Sequence, residues 1–378
     1  MYYTRQGTIP RKPFTLLLQP DGHMTHEELF TSGGFRGPSS LIYRLRPATA
    51  LVDVRDVRDQ PIEELPGSDV RNHQIDTARI PAGGTFATAR LPLFFNDDLV
   101  YSVGRPASVD GTFYRNALAD ELVLIVCGNG RLGSTFGSLE FGPLDLLYMP
   151  RGVTVAFEEV SPDAVMIVME TASPIAPPAQ YLGVRGQLSL RGMYTERDIR
   201  LPALQAPRDV EDDHSVIVRA GRRMYTHIVP SHPFDAVGWD GTLYPFALNM
   251  QSLTPVSGRV HTTPDIYYIF EAEGVCISAI APVRQPDHPE STSAQPDHIS
   301  DYDEIFHRLG RPQQGGFEPG VVTLHTRAAP HGPSLALKTR PRRELTTGWG
   351  VMIDVARPVK VAAPAAAVEI SGYHGEPP

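Results

Sequence analysis

Two histidines and a glutamate stand in the second half of the chain at a spacing that the first half repeats with different residues. His298 precedes Glu304 by six positions, and His331 lies within Pro330-His331-Gly332. In the first half Arg115 precedes Glu121 by the same interval, and Arg151 lies within Pro150-Arg151-Gly152. The likeness extends to the flanks: Ala119-Asp120-Glu121-Leu122 parallels Tyr302-Asp303-Glu304-Ile305, and Glu140-Phe141-Gly142-Pro143 parallels Phe317-Glu318-Pro319-Gly320. A guanidinium stays charged and has no lone pair for a metal, whereas neutral imidazole is the commonest nitrogen ligand. The pattern predicts a duplicated unit whose earlier copy cannot ligate a metal through these positions and whose later copy can.

Two imidazoles and one carboxylate on one face of a cation leave three positions open, the arrangement that non-haem Fe(II) oxygenases use to take substrate and O₂ together. The same donors suit Zn, Mn and Ni, so they do not fix the metal. With 13 histidines in the chain, an isolated His-x5-Glu could arise by chance. The matched first-half copy is what favours a metal trio of His298, Glu304 and His331.

The elements that must carry these residues read as strands. Short apolar runs bounded by Gly, Pro and Asp recur at 122–127, 144–149, 153–157, 164–169, 266–270, 275–281, 321–324 and 351–355, as expected of an all-β barrel or sandwich. Helical periodicity is weak and confined to 211–214, 301–309 and 362–367, where Pro364 argues against the last. The Pro-rich Ser173–Gln180 is the expected internal boundary, giving residues 1–180 as a degenerate first unit and 181–378 as a second, metal-binding one. Arg284–Asp303 is polar and irregular, a loop long enough to be functional or disordered.

Composition narrows the partners. Forty-three acidic against 34 basic residues give a net charge of −9, and the one basic cluster is Lys338–Arg343, so neither a nucleic-acid backbone nor an anionic membrane is expected to bind. There is no apolar run of membrane-spanning length and no signal-peptide core near Met1, which leads to a cytoplasmic expectation. Cys127 and Cys276 each sit in an apolar run and are expected to be buried thiols. Glu211-Asp212-Asp213-His214 reads as a solvated turn, His232 and Trp239 as structural, and Gly128-Asn129-Gly130 as a turn between strands.

Several strings resemble the homogentisate 1,2-dioxygenase family. They are Met1-Tyr2-Tyr3 with Gly7-Thr8-Ile9-Pro10-Arg11-Lys12, Gln19-Pro20-Asp21-Gly22, Ser39-Ser40-Leu41-Ile42-Tyr43, His232-Pro233-Phe234-Asp235 with Gly238-Trp239-Asp240-Gly241, and Pro330-His331-Gly332-Pro333. The resemblance implies an all-β fold of two cupin-like (double-stranded β-helix or jelly-roll) barrels, the N-terminal one without metal. It implies Fe(II) held by His298, Glu304 and His331, and a small dihydroxyaromatic substrate cleaved with O₂. His261 falls on the family's catalytic histidine, which takes or shares the proton of the phenolic hydroxyl. His325 falls on a histidine just outside the ligands and, with His331, is assigned to the substrate's side of the site. The resemblance also implies a homo-oligomer, a trimer or a dimer of trimers.

Departures from the family leave the substrate open. The neighbours of His298 are Asp297, Ile299 and Ser300, the stretch from Glu304 to Gly315-Gly316-Phe317 is short, and the Tyr and Lys expected before it are missing. Arg308, Arg311, Gln313 and Gln314 are the local polar groups there, and arginine can clamp a carboxylate bidentately. Two other classes compete: a non-oxidative cupin enzyme, an isomerase or hydrolase using Zn or Mn, and a metal-free module that binds an aromatic ligand.

Overall fold

The computed structural model describes residues 2–190, 192–254, 268–282, 297–327, 329–333, 338 and 347–373. All eight apolar runs read from the sequence contain a strand, and the helical content is confined to short 3-10 turns among the described residues. The weak helical candidate at 301–309 is instead the strand Asp303–Arg308, buried on both faces along Asp303–Ile305 and so paired rather than coiled.

The first barrel is an eight-stranded jelly roll. One sheet orders Asp145–Met149, Asp120–Cys127, Val165–Thr171 and Leu99–Gly104 side by side, all antiparallel. The other orders Gly137–Phe141, Gly130–Ser134, Val155–Val160 and Phe113–Asn116. Asp120–Cys127 is buried at every position, which is why it reads as an unbroken apolar run rather than an alternating one.

The second barrel repeats the first sheet in the same order: Val321–His325, Asp303–Arg308, Gly350–Val355 and Val275–Ile280. The short hairpin Pro312–Gln313 with Gly316–Phe317 pairs at Gly316 with Cys127 of the first barrel, and an isolated bridge joins His298 to His331. The sheets do not divide at the expected 180/181 boundary. His214–Ala220 and Arg223–Val229 extend a first-barrel sheet, and Phe246–Asn249 pairs with Asp145–Met149. The Pro-rich stretch crosses between barrels, with Ala176 bridging Glu271 at the edge of the second.

The register corrects the arginine counterparts. In the first barrel Asp120 Oδ1 accepts from the backbone N–H and Nε of Arg151, whose Nη1 donates to Ala172 O. In the second, Asp303 Oδ1 accepts from the backbone N–H and Nε of Arg327, whose Nη1 donates to Ala356 O. Arg151 therefore corresponds to Arg327, not to His331. Val155 pairs with Tyr114 as His331 pairs with His298, so Tyr114 and Val155 occupy the places of the two histidines. Glu121 and Glu304 do correspond, each second in its strand after the bracketing aspartate. The two halves differ in the length of the connection before that strand and of the hairpin after it. A match on Pro-x-Gly thus aligned residues that the sheets keep apart. The expectation that the first copy lacks ligands stands, because phenol and isopropyl side chains replace the imidazoles.

Candidate metal centre

Glu304 enters the second barrel at the start of Asp303–Arg308, paired with His325 on one side and Asp354 on the other. His298 and His331 arrive from the opposite wall, joined by two backbone hydrogen bonds, His298 N–H to His331 O at 2.9 Å and His331 N–H to His298 O at 3.0 Å. Their rings lie 4.3 Å apart between centroids. Glu304 Oε2 is 3.6 Å from Nε2 of each histidine. One ligand atom from each of the three residues falls within 4.8 Å of the others, a spread that bonds of about 2 Å each leave little to close.

The chemistry of the donors fits a divalent cation. His331 is 5% exposed, and its Nδ1 lies 3.2 Å from Ala329 O, a contact that places the proton on Nδ1. Its Nε2 is then an acceptor, and it is buried without a hydrogen-bond partner. Buried polar atoms are rarely left so, and a metal ligand whose other ring nitrogen donates to a carbonyl is a recurrent arrangement. Burial alone would raise the Glu304 carboxyl, but the surrounding imidazoles of His298, His325 and His331, with the 2.9 Å hydrogen bond from His325 among them, outweigh it and hold the group well below the usual carboxylate range.

His325 sits against this trio. Its Nδ1 is 2.9 Å from Glu304 Oε1, its Nε2 is 3.0 Å from the Tyr373 hydroxyl, and its ring stacks on His331 at 4.2 Å with 20° between planes. Asp354, on the neighbouring strand, is raised to about 6 by burial and then by the Glu304 charge, and its Oδ2 accepts from the Tyr268 hydroxyl. Asp354, Tyr268 and Tyr373 had no sequence signal, since each lies outside the repeated strings and reaches the site only through strand pairing or a distant segment.

The corresponding place in the first barrel is filled by side chains. Glu121 Oε1 accepts from Arg90, from the Tyr114 hydroxyl and from the Asn116 amide. Glu170, the counterpart of Asp354, accepts from Asn116, Arg219 and Arg90. Two carboxylates are thus balanced by two guanidinium groups. Arg115 points elsewhere, onto the Thr154 hydroxyl.

Of the other sequence candidates, His261 and residues 284–296 of the polar loop lie outside the described residues. Arg308 is four residues beyond Glu304 on one strand, about 13 Å away at the ordinary rise. Arg311 bonds Glu318 through its backbone, and the Gln313 amide donates to Phe317 O and toward Cys127 Sγ. These groups sit at the far end of the strand and do not clamp a carboxylate at the centre. Cys127 and Cys276 are both free thiols. No helix among the described residues is long and apolar enough to cross a membrane.

A profile described as homogentisate 1,2-dioxygenase N-terminal matches residues 99–250. A Saccharolobus solfataricus protein that carries a provisional dioxygenase name is 30% identical over 99% of this chain and 98% of its own. The homogentisate 1,2-dioxygenase of Rhodopseudomonas palustris BisA53 is 26% identical over 60% of this chain, which spans 51% of that enzyme. Among solved structures, a cupin 2 conserved barrel domain protein from Leptotrichia buccalis aligns with 79% of this chain and all of its own at 7% identity and a TM-score of 0.35.

Proposed function

The chain belongs to the homogentisate 1,2-dioxygenase family, and from that premise we propose that it is an Fe(II)-dependent ring-cleaving dioxygenase for a substituted 1,4-dihydroxyaromatic. The observation that carries the reading is the convergence of His298, Glu304 and His331 around the unpartnered Nε2 of His331. A bound Fe(II) supplies a Lewis-acidic, redox-active centre at which a phenol and O₂ can react.

The chain's own groups supply the rest. His298 and His331 offer neutral imidazole nitrogens, and Glu304 offers Oε2 while His325 occupies Oε1. His261 is proposed to accept the proton of the phenolic hydroxyl, a role that requires hydrogen-bond reach to that oxygen. Burial of His331 and Glu304 limits water at the ligands. His325 lines the same side and orients Glu304. By family membership the assembly is proposed to be a trimer or a dimer of trimers, which light scattering reads directly.

The test is anaerobic reconstitution with Fe(II) followed by oxygen-electrode assays with homogentisate, gentisate and substituted hydroquinones. Oxygen uptake equimolar with one of these quinols, lost on chelation, is the expected result. Stoichiometric iron with no uptake from any quinol overturns the dioxygenase reading in favour of non-oxidative chemistry. Quinol binding that survives chelation favours a metal-free module.

A further inference from the structure

Tyr373 reaches the metal centre from a segment remote in sequence. After Val359, whose N–H donates to Asp303 Oδ2, the chain pairs Lys360–Val361 with Arg90–Phe95 and turns through Ala363–Val368. It then lies along His73–Asp76: Glu369 bridges Ile75, Ile370 N–H donates to Gln74 O, and the Glu369 carboxylate accepts from Arg71 and contacts His73 Nδ1 at 2.8 Å. His73–Asp76 is itself paired with the strand that ends at His325. The segment is thus anchored one strand away from the site. Tyr373 is 6% exposed, and its hydroxyl meets His325 Nε2 at 3.0 Å.

The proton positions follow from the partners. Glu304 is a carboxylate and only accepts, so the ring nitrogen 2.9 Å from its Oε1 carries the proton. That is Nδ1, which makes Nε2 of a neutral His325 an acceptor and Tyr373 its donor. With Oε1 held, Oε2 is the oxygen that faces Nε2 of both His298 and His331. We propose that Tyr373 is a positioning residue of the metal centre: its hydroxyl holds His325 in the tautomer that grips one oxygen of Glu304 and leaves the other for the cation. This deepens the metal reading above and rests on it. In the first barrel the position of His325 is taken by Met149, which is paired with Glu121 as His325 is with Glu304, so the relay belongs to the copy that keeps its ligands.

Co(II) binding to the full chain tests the inference without recourse to turnover. Tyr373→Phe keeps the ring and removes the donor. It is expected to weaken Co(II), measured by chelator competition, by about tenfold, the low end of the effect of losing a ligand's own hydrogen-bond partner, and to alter the visible absorption that reports coordination. His325→Asn presents an amide N–H to Glu304 and has no tautomer to set, so adding Tyr373→Phe in that background should change the affinity less than about twofold. Unchanged affinity and spectrum in Tyr373→Phe, or the same loss in both backgrounds, overturns the inference. A loss matched by an equal fall in the thermal stability of the metal-free protein assigns Tyr373 a merely structural role and also overturns it. A wild-type chain that takes up no Co(II) sinks the metal reading itself, which separates the two failures.

Discussion

In the first barrel guanidinium groups solve a problem that a divalent cation would solve in the second. Glu121 and Glu170 face the first cavity as Glu304 and Asp354 face the second, and buried carboxylates need a counter-charge. In the first barrel Arg90, 5% exposed at its side chain, contacts both. Among the described residues no arginine or lysine contacts Glu304 or Asp354. Replacing Arg90 by Met leaves Glu121 buried with only neutral partners, and the expected cost is about 3 to 5 kcal/mol in urea denaturation, with metal content unchanged. In the second barrel His331→Ala and Glu304→Ala should each reduce bound iron to background in anaerobically reconstituted protein, measured by elemental analysis. Retained stoichiometric iron in either variant would contradict the ligand assignment. The convergence of His298, Glu304 and His331 was legible in sequence because histidine and glutamate carry their chemistry in their names. Arg90 was not, because its role depends on a strand outside the repeated strings bringing it across the barrel to Glu121.

At the level of elements, the same bracket holds both copies: an aspartate opening a strand clasps an arginine and the backbone N–H of a residue beyond, Ile175 in one barrel and Val359 in the other. This bracket fixes where the following glutamate enters the cavity. The strands themselves were legible as apolar runs. Their register was not, since it is set by hairpin lengths and cross-strand pairing rather than by local composition, which is why Pro-x-Gly pointed to Arg151 instead of Val155. The hairpin Pro312–Gln313 with Gly316–Phe317 shows a further constraint that only packing reveals. Gly316, at φ 147, lies so close to the first barrel that an added Cβ would stand 2.5 Å from Val126 O and 2.7 Å from Cys127 Cα. Gly316→Ala is expected to push the hairpin off Asp120–Cys127 and cost at least about 2 kcal/mol. The check is the urea midpoint of the variant, and an unchanged midpoint would show that this contact does not hold the barrels together.

Across the whole molecule the two barrels are joined by a buried polar contact. Tyr101, on a first-barrel strand, lies with its hydroxyl 2.6 Å from His307 Nδ1 on a second-barrel strand, and both side chains are fully buried. His307 Nε2 is 2.8 Å from Pro319 O, an acceptor, so Nε2 carries the proton and Nδ1 accepts from Tyr101. Burial pushes its pKa down to about 4, against the smaller opposing effect of the Pro319 hydrogen bond. In an unfolded chain the same imidazole titrates near 6.5. Between those values the unfolded state binds a proton that the folded state does not, so stability falls as pH is lowered from about 6.5 to about 4 and is flat below. The shift corresponds to a loss on the order of 3 kcal/mol over that window. His232, lowered to about 4 by burial and then Arg208, acts in the same direction, while Asp354, raised to about 6, acts in the opposite one. Comparison with His307→Gln isolates the single group, because glutamine can accept from Tyr101 and donate to Pro319 without titrating. Urea midpoints measured from pH 7 to pH 4 should fall more steeply for the wild type than for His307→Gln. Parallel curves for the two proteins would mean that the joint between the barrels does not resist protonation, and that acid lability arises elsewhere.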